Sequence, residues 1–171
     1  MSLIQADYNR YYQLSSYQGD FRKWFHTVTN PGFQAVAGYR FCRWLMFKKI
    51  PFLGIIVQRL VEVWTGVSIP PEAQIGPGLL ILHFGGIMIN AKAVIGANCT
   101  LHHEVTIGNK KSGGGSPTIG DNVHIGAGAK VLGEIIVGHH VEIGANAVVL
   151  DSLPDGAVAV GIPAKVIKVK A

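Results

Sequence analysis

Aliphatic residues recur at every sixth position through the second half of this 171-residue chain. Ile89, Ile95, Leu101 and Ile107 form one run, and Ile119, Ile125, Val131, Val137, Ile143 and Val149 form the next. An earlier run, Ile69, Ile75 and Ile81, keeps the period but is offset by two residues. Glycine directly follows the aliphatic residue at Gly76, Gly96, Gly108, Gly120, Gly126, Gly138 and Gly144. A period of six fits neither a helix nor a long alternating strand. It fits short strands joined by tight turns, with one aliphatic side chain pointing inward on each side of a prism and glycine easing the bend. Stacked coils then bury a continuous aliphatic column that no single repeat buries alone. The period therefore predicts a mainly β chain, wound as a parallel β-helix.

Before residue 67 the pattern changes. "PGFQAVAGYRFCRWLMFKK" carries its apolar residues at helical spacing, and "PFLGIIVQRLVEVWTG" reads as a second helix opened by Pro51 and closed by Gly66. "DYNRYYQLSSYQGDFRKWF" adds one more short helix. The expected organisation is a helical part over 1–66 followed by the β-helix over 67–171. Trp44, Phe47 and Trp64 are expected to cover the open end of the coil stack. The stretch Asn109–Pro117, "NKKSGGGSP", interrupts the repeats. Either two repeats pass between Ile107 and Ile119, or one passes and about six residues loop out. Three glycines and two lysines offer no inward aliphatic residue, which favours an extruded loop over 109–117, a flap over a cofactor slot.

Composition excludes several classes. The chain is 49% hydrophobic and 15% charged, too apolar for disorder and too poor in charge for a coiled coil. Its +5 net charge comes with no nucleic-acid-binding motif, so no nucleic-acid partner is expected. The basic residues around Arg22, Lys23, Arg40, Arg43, Lys48, Lys49 and Arg59, and Lys165, Lys168 and Lys170, read as solvated surface or as attraction for an anionic ligand. Peripheral membrane contact by the basic helices is a lesser alternative. Only Cys42 and Cys99 occur, and no basic-then-apolar leader opens the chain, which points to a reducing, cytoplasmic setting.

Histidine supplies the candidate chemistry. His83 follows Ile81 by two residues, and His103 follows Leu101 by two. The offset makes this coil 20 residues long, so the two histidines are expected at matching places on neighbouring coils, roughly one strand spacing of ~4.8 Å apart. With the loop extruded, the same column continues through Ala127 and Ala145. Imidazoles at the head of a column of small residues describe a reactive group beside a slot. Histidine takes a hydroxyl proton near neutral pH, as general-base catalysis requires. Adjacent His102 and His103 point to different sides of a strand, and no cysteine or carboxylate stands at a ligand spacing, so no metal is expected. His124 and His102 read as structural; His139 and His140 as turn residues, and His26 as a helix-surface residue.

The motifs "NPGFQAVAGYRFCRWL", "AQIGPGLLILHFGGIMIN", "VTIGNKKSGGGSPTIGDNVHIGAGAKVLG" and "VEIGANAVVLDSLPDGAVAVGIPAKVIK", in this order, span nearly everything after residue 30. Together they resemble the serine O-acetyltransferase family of bacterial hexapeptide-repeat acyltransferases, and within it the shorter members linked to exopolysaccharide (colanic-acid-type) synthesis. The resemblance implies a left-handed parallel β-helix, acetyl-CoA as co-substrate and a homotrimer with active sites between subunits. It implies His83 as the catalytic base, and the spacing adds His103 as a second catalytic candidate. Gly108, Ala127 and Ala145 match positions lining the pantetheine arm of CoA, and Lys165 in "GIPAKV" matches the basic residue near its phosphates. Four family positions differ here. The acid 15 residues before the base is Ser68, the acid directly before it is Leu82, and the Arg-His pair of the loop is Gly115 and Ser116. An amino acid's charged ends need charged partners, so the family name favours L-serine as acceptor and these neutral residues favour a sugar hydroxyl. A non-catalytic trimeric scaffold and a zinc enzyme of carbonic-anhydrase type remain as rivals on the same fold.

Overall fold

The computed structural model describes residues 2–170. Four helices come first: α1 (Leu3–Leu14), α2 (Asp20–Thr29), α3 (Pro31–Phe47) and α4 (Pro51–Thr65). The segment read from sequence as one helix is two. It breaks between Leu14 and Asp20, where Gly19 takes a φ of 87°. Asn30 caps α3, its Oδ1 accepting from the N–H groups of Gly32 and Phe33 at 2.9 and 3.3 Å, with Pro31 at the first helical position. Gly66 ends α4 in the left-handed region, as the sequence predicts.

From Val67 the chain winds into a three-sided prism. The first sheet holds Val67–Ser68, Ile87–Ile89, Thr106–Gly108, Lys130–Leu132 and Val148–Val149. The second holds Gln74–Ile75, Val94–Ile95, Thr118–Ile119 and Ile136–Val137. The third holds Leu80–Ile81, Thr100–Leu101, His124–Ile125, Glu142–Ile143 and Ala157–Val160, closed by the antiparallel strand Lys165–Val169. Ile89 lies opposite Ile107, an 18-residue coil, whereas Ile81 lies opposite Leu101, the longer coil that the offset predicts. Ile95 lies opposite Ile119, so the coil containing 109–117 spends one repeat and extrudes about six residues. All thirteen periodic aliphatic residues are buried, none more than 6% exposed. A second inward layer, not read from the sequence, lies two positions before many of them: Ala73, Ala93, Cys99, Val105, Val123 and Ala129 are each fully buried.

The open end of the prism is covered by α3 through Ala35, Val36 and Tyr39, which join the aliphatic core. Here one expectation is corrected. Trp44, Phe47 and Trp64 are 50%, 67% and 74% exposed: the face of α3 that packs on the coil carries Ala35, Val36 and Tyr39 and leaves Trp44 and Phe47 outside, and Trp64 lies on the outer side of α4. The first coil has no coil before it, so its edge N–H and C=O groups need other partners. Side chains from the helices supply them. Arg40 donates to the carbonyls of Ile75 and Gly76 at 2.7 and 2.6 Å, and Arg43 to those of Pro71 and Ala73 at 2.7 and 2.8 Å. Asp7 accepts from the N–H groups of Gly78 and Leu79 at 2.8 and 2.9 Å and pairs with Arg40 at 2.9 Å, both side chains buried. Arg40 and Arg43 are therefore neither solvated charge nor an anion site. They finish the edge of a sheet.

Candidate active site

His83 stands at the corner where the chain passes from the third sheet to the first. Leu82 donates to the carbonyl of Leu101, and Glu104 donates to that of Gly85. Counted from both sides, the two extra residues of this coil are His83 and Phe84, and Gly85 is the one opposite His103. Matching rungs for His83 and His103, expected from spacing, are thus corrected: the insertion pushes His83 out at a φ of 59°, above the corner rather than in its column. The two histidines still meet, with ring centroids 6.0 Å apart and nearly perpendicular. His102 lies 5.9 Å from His83 and 4.9 Å from His124, so it too belongs to the corner. Partial burial, and then the neighbouring imidazoles of His124, His83 and His103, hold the pKa of His102 below its ordinary value. His103 is half-buried, its Nδ1 enclosed without a hydrogen-bond partner. Among the described residues no group of three or more His, Cys, Asp or Glu side chains converges as a metal site.

Below His103 the corner continues through Ala127 and Ala145, small residues on the next two coils. Lys165 faces Val160 on the last coil and is exposed, at the far end of the same edge. Four spacings of ~4.8 Å separate the His83 coil from this end, roughly 19 Å. Gly126 lets this edge stack closely, since a Cβ there would lie 2.6 Å from the backbone nitrogen of Ala145. Gly108 does not join the edge. It ends a first-sheet strand at the next corner, where the loop leaves. Ser116 pins the loop base, its Oγ lying 2.8 and 2.7 Å from the Oδ1 atoms of Asn90 and Asn109.

Ser68, on the coil edge above, donates to Glu62 Oε1 at 2.7 Å. Partial burial raises the pKa of the Glu62 carboxyl, but hydrogen bonds from Ser68, Gln58 and Arg59 outweigh it and leave the pKa below its ordinary value. A carboxylate thus sits one hydrogen bond from the position that is acidic in the family pattern, supplied by α4.

On its other side His83 borders a cavity of about 180 Å³ between α1, α2 and the first coil. Tyr11, Ser15, His26, Thr27 and Asn30 line it with His83, and Leu82 closes one wall. Tyr11 Oη accepts from the N–H of Ile81 at 2.7 Å, and burial raises the pKa of its phenol and keeps it protonated. Of the lining, Tyr11, Ser15, Thr27 and Asn30 were not read from the sequence. They sit on helices or at helix ends, with no repeat to mark them. His26 is half-buried against Tyr17 and opens on this cavity rather than lying free on the helix surface. His139 and His140 are exposed turn residues, as expected.

Residues 116–151 match the bacterial transferase hexapeptide family of six repeats. The chain is 42% identical over 139 residues to the serine acetyltransferase of Synechococcus elongatus, covering 80% of this chain and 57% of that protein, less than two thirds of its length. It is 44% identical over 147 residues to the serine acetyltransferase of Helicobacter pylori strain J99, covering 85% of this chain and 86% of that one. Among solved structures, a serine acetyltransferase from Brucella abortus in complex with coenzyme A has a TM-score of 0.89 at 30% identity, over 99% of this chain and 68% of that one. The Neisseria gonorrhoeae serine acetyltransferase in complex with serine has a TM-score of 0.85 at 32% identity, over 95% of this chain and 67% of that one. The solenoid is a left-handed parallel β-helix, and the chain belongs to the serine acetyltransferase family of bacterial hexapeptide transferases.

Proposed function

We propose that this protein transfers an acetyl group from acetyl-CoA to the hydroxyl of a small acceptor, as its serine acetyltransferase relatives are named for doing. The observation that carries the reading is the double exposure of His83. One side of it borders a cavity of about 180 Å³, and the other meets the head of the small-residue edge that runs to Lys165. The acceptor occupies the cavity, and the thioester reaches the corner along the edge past Ala127 and Ala145, with its phosphates toward Lys165. A ring nitrogen of His83 takes the acceptor's hydroxyl proton while that oxygen bonds to the thioester carbonyl carbon. The tetrahedral oxyanion collapses, the C–S bond breaks, and the CoA thiolate takes the proton back from the imidazolium. The products are an acetyl ester and free CoA. His103, 6.0 Å away, backs the base.

The assembly in this reading is a homotrimer with sites between subunits. Within one chain Gly108 and the loop over 109–117 stand at a different corner from His83, so a loop closing over the slot comes from a neighbouring copy. Two free, buried cysteines suit a cytoplasmic setting, and no helix among the described residues is long and apolar enough to cross a membrane. The test is an incubation with acetyl-CoA and either L-serine or neutral sugars, following CoA release and the ester formed. Acceptor-dependent release supports the reading. No release, together with no rise in melting temperature at saturating CoA, would leave the prism a scaffold.

A further inference from the structure

The outer face of the α3–α4 hairpin is apolar and has no partner in the fold. On its inner side α4 meets α3, with Gly54 against Leu45 and Val61 filling the space above Gly38. Its opposite side carries Phe52, Ile56, Leu60, Val63 and Trp64, from 42% to 87% exposed. These positions fall at three- and four-residue steps, so they form one stripe along the helix. The exposed surface continues around the turn through Phe47, Lys48, Lys49 and Ile50. A soluble domain seldom leaves so long an apolar surface open, and where it does the surface marks an interface.

Charge says what that interface meets. Residues 1–66 hold eight Lys and Arg against three Asp and Glu, whereas residues 67–171 hold seven against seven. The whole net charge of +5 therefore belongs to the cover. Arg10, Arg40 and Arg43 are taken up by carbonyls of the prism, and Asp7 is buried against Arg40. Glu62 is held at the inner side of α4 by Ser68 and Gln58, and Arg59 pairs with it. Among the described residues, Lys48 and Lys49 at the hairpin tip and Arg22 and Lys23 on α2 pair with no carboxylate. Lys48 lies 6.0 Å from the ring centre of Trp44, so cation and indole share one end of the face. Lysine beside tryptophan at the border of an apolar stripe is the composition of a helix that lies in a bilayer interface. A second copy fits less well, because it would bring two +5 covers together with no acid on the face to offset them. We propose that the outer face of the α3–α4 hairpin docks on an anionic lipid bilayer. α4 lies in the plane of the interface, with Phe52, Leu60 and Val63 among the acyl chains and Lys48 and Lys49 at the lipid phosphates. No helix among the described residues is long and apolar enough to cross the bilayer, so the attachment is peripheral.

The experiment floats the wild-type protein with vesicles of phosphatidylcholine alone and with vesicles that are half phosphatidylglycerol. The wild type floats with the anionic vesicles and not with the neutral ones, and its tryptophan emission shifts to shorter wavelength. Raising the salt concentration weakens the binding. Lys48→Gln combined with Lys49→Gln lowers the affinity for anionic vesicles about 10- to 30-fold. Phe52→Ser combined with Val63→Ser lowers it about 10-fold or more. All four side chains are exposed, so both variants keep the wild-type melting temperature and, without vesicles, the wild-type rate of CoA release. Absence of binding to anionic vesicles, equal binding to neutral ones, or binding unchanged in both variants overturns the proposal. So does a wild-type mass in light scattering that Phe52→Ser with Val63→Ser halves, which would make the face a contact between copies.

Discussion

The prism and its helical cover are held together in opposite ways. In the prism each coil repeats the last, so one aliphatic residue in six, with a small one two positions before it, specifies the core by local rule. The cover obeys no such rule. Its helices expose Phe21, Phe52, Val63 and Trp64 to solvent and bury Asp7 and Arg40. What fixes it is the unfinished edge of the first coil, whose polar groups Asp7, Tyr11, Arg40 and Arg43 satisfy one by one. A repeat supplies its own partners everywhere except at its ends, and the candidate site lies at such an end.

That contrast can be broken at the joint first. Replacing Asp7 with alanine leaves Arg40 buried without its carboxylate and strips two N–H groups of the first coil of their acceptor. The expected loss is about 3–5 kcal/mol in urea unfolding. An unchanged midpoint would mean that the cover is not fixed through this pair. Within the prism, Ile125→Ala removes a fully buried aliphatic residue and should cost about 2–5 kcal/mol. Trp64→Ala on the cover removes a larger side chain, but one 74% exposed with a single hydrogen bond to Gln34. It should cost less than about 1 kcal/mol by the same measurement.

The smallest effect expected is a pH slope. The pKa of His102 is lowered in the fold, so below about 6.5 the unfolded chain binds its proton more readily than the folded one. This contribution to stability is whole above that pH and is lost as the pH falls from there toward the lowered value. His102→Gln should flatten the fall in melting temperature over the same range. A slope that survives the substitution would assign it to another group.

The prism was legible because its information is local and repeated. The period placed the thirteen inward residues, and the offset between Ile81 and Ile89 announced the longer coil that carries His83. The extruded loop was legible too, since glycine and lysine cannot fill an inward position. Register was harder: spacing put His83 and His103 on matching rungs, while hydrogen bonding shows that the inserted pair is His83 and Phe84. The cover was hardest. Aromatic residues at helical spacing look like core from sequence, and which helix face meets the prism depends on contacts made between residues more than thirty positions apart, as between Arg40 and Ile75. For the same reason Ser15 and Thr27 gave no sign of themselves.

The account turns on His83 at the meeting point of cover and prism. The most direct measurement is the rate of CoA release from acetyl-CoA, with acceptor present, by the wild type and by His83→Ala under identical conditions. The account predicts a fall in kcat of about 10²- to 10⁴-fold with CoA affinity retained. Equal release by the two proteins would contradict it.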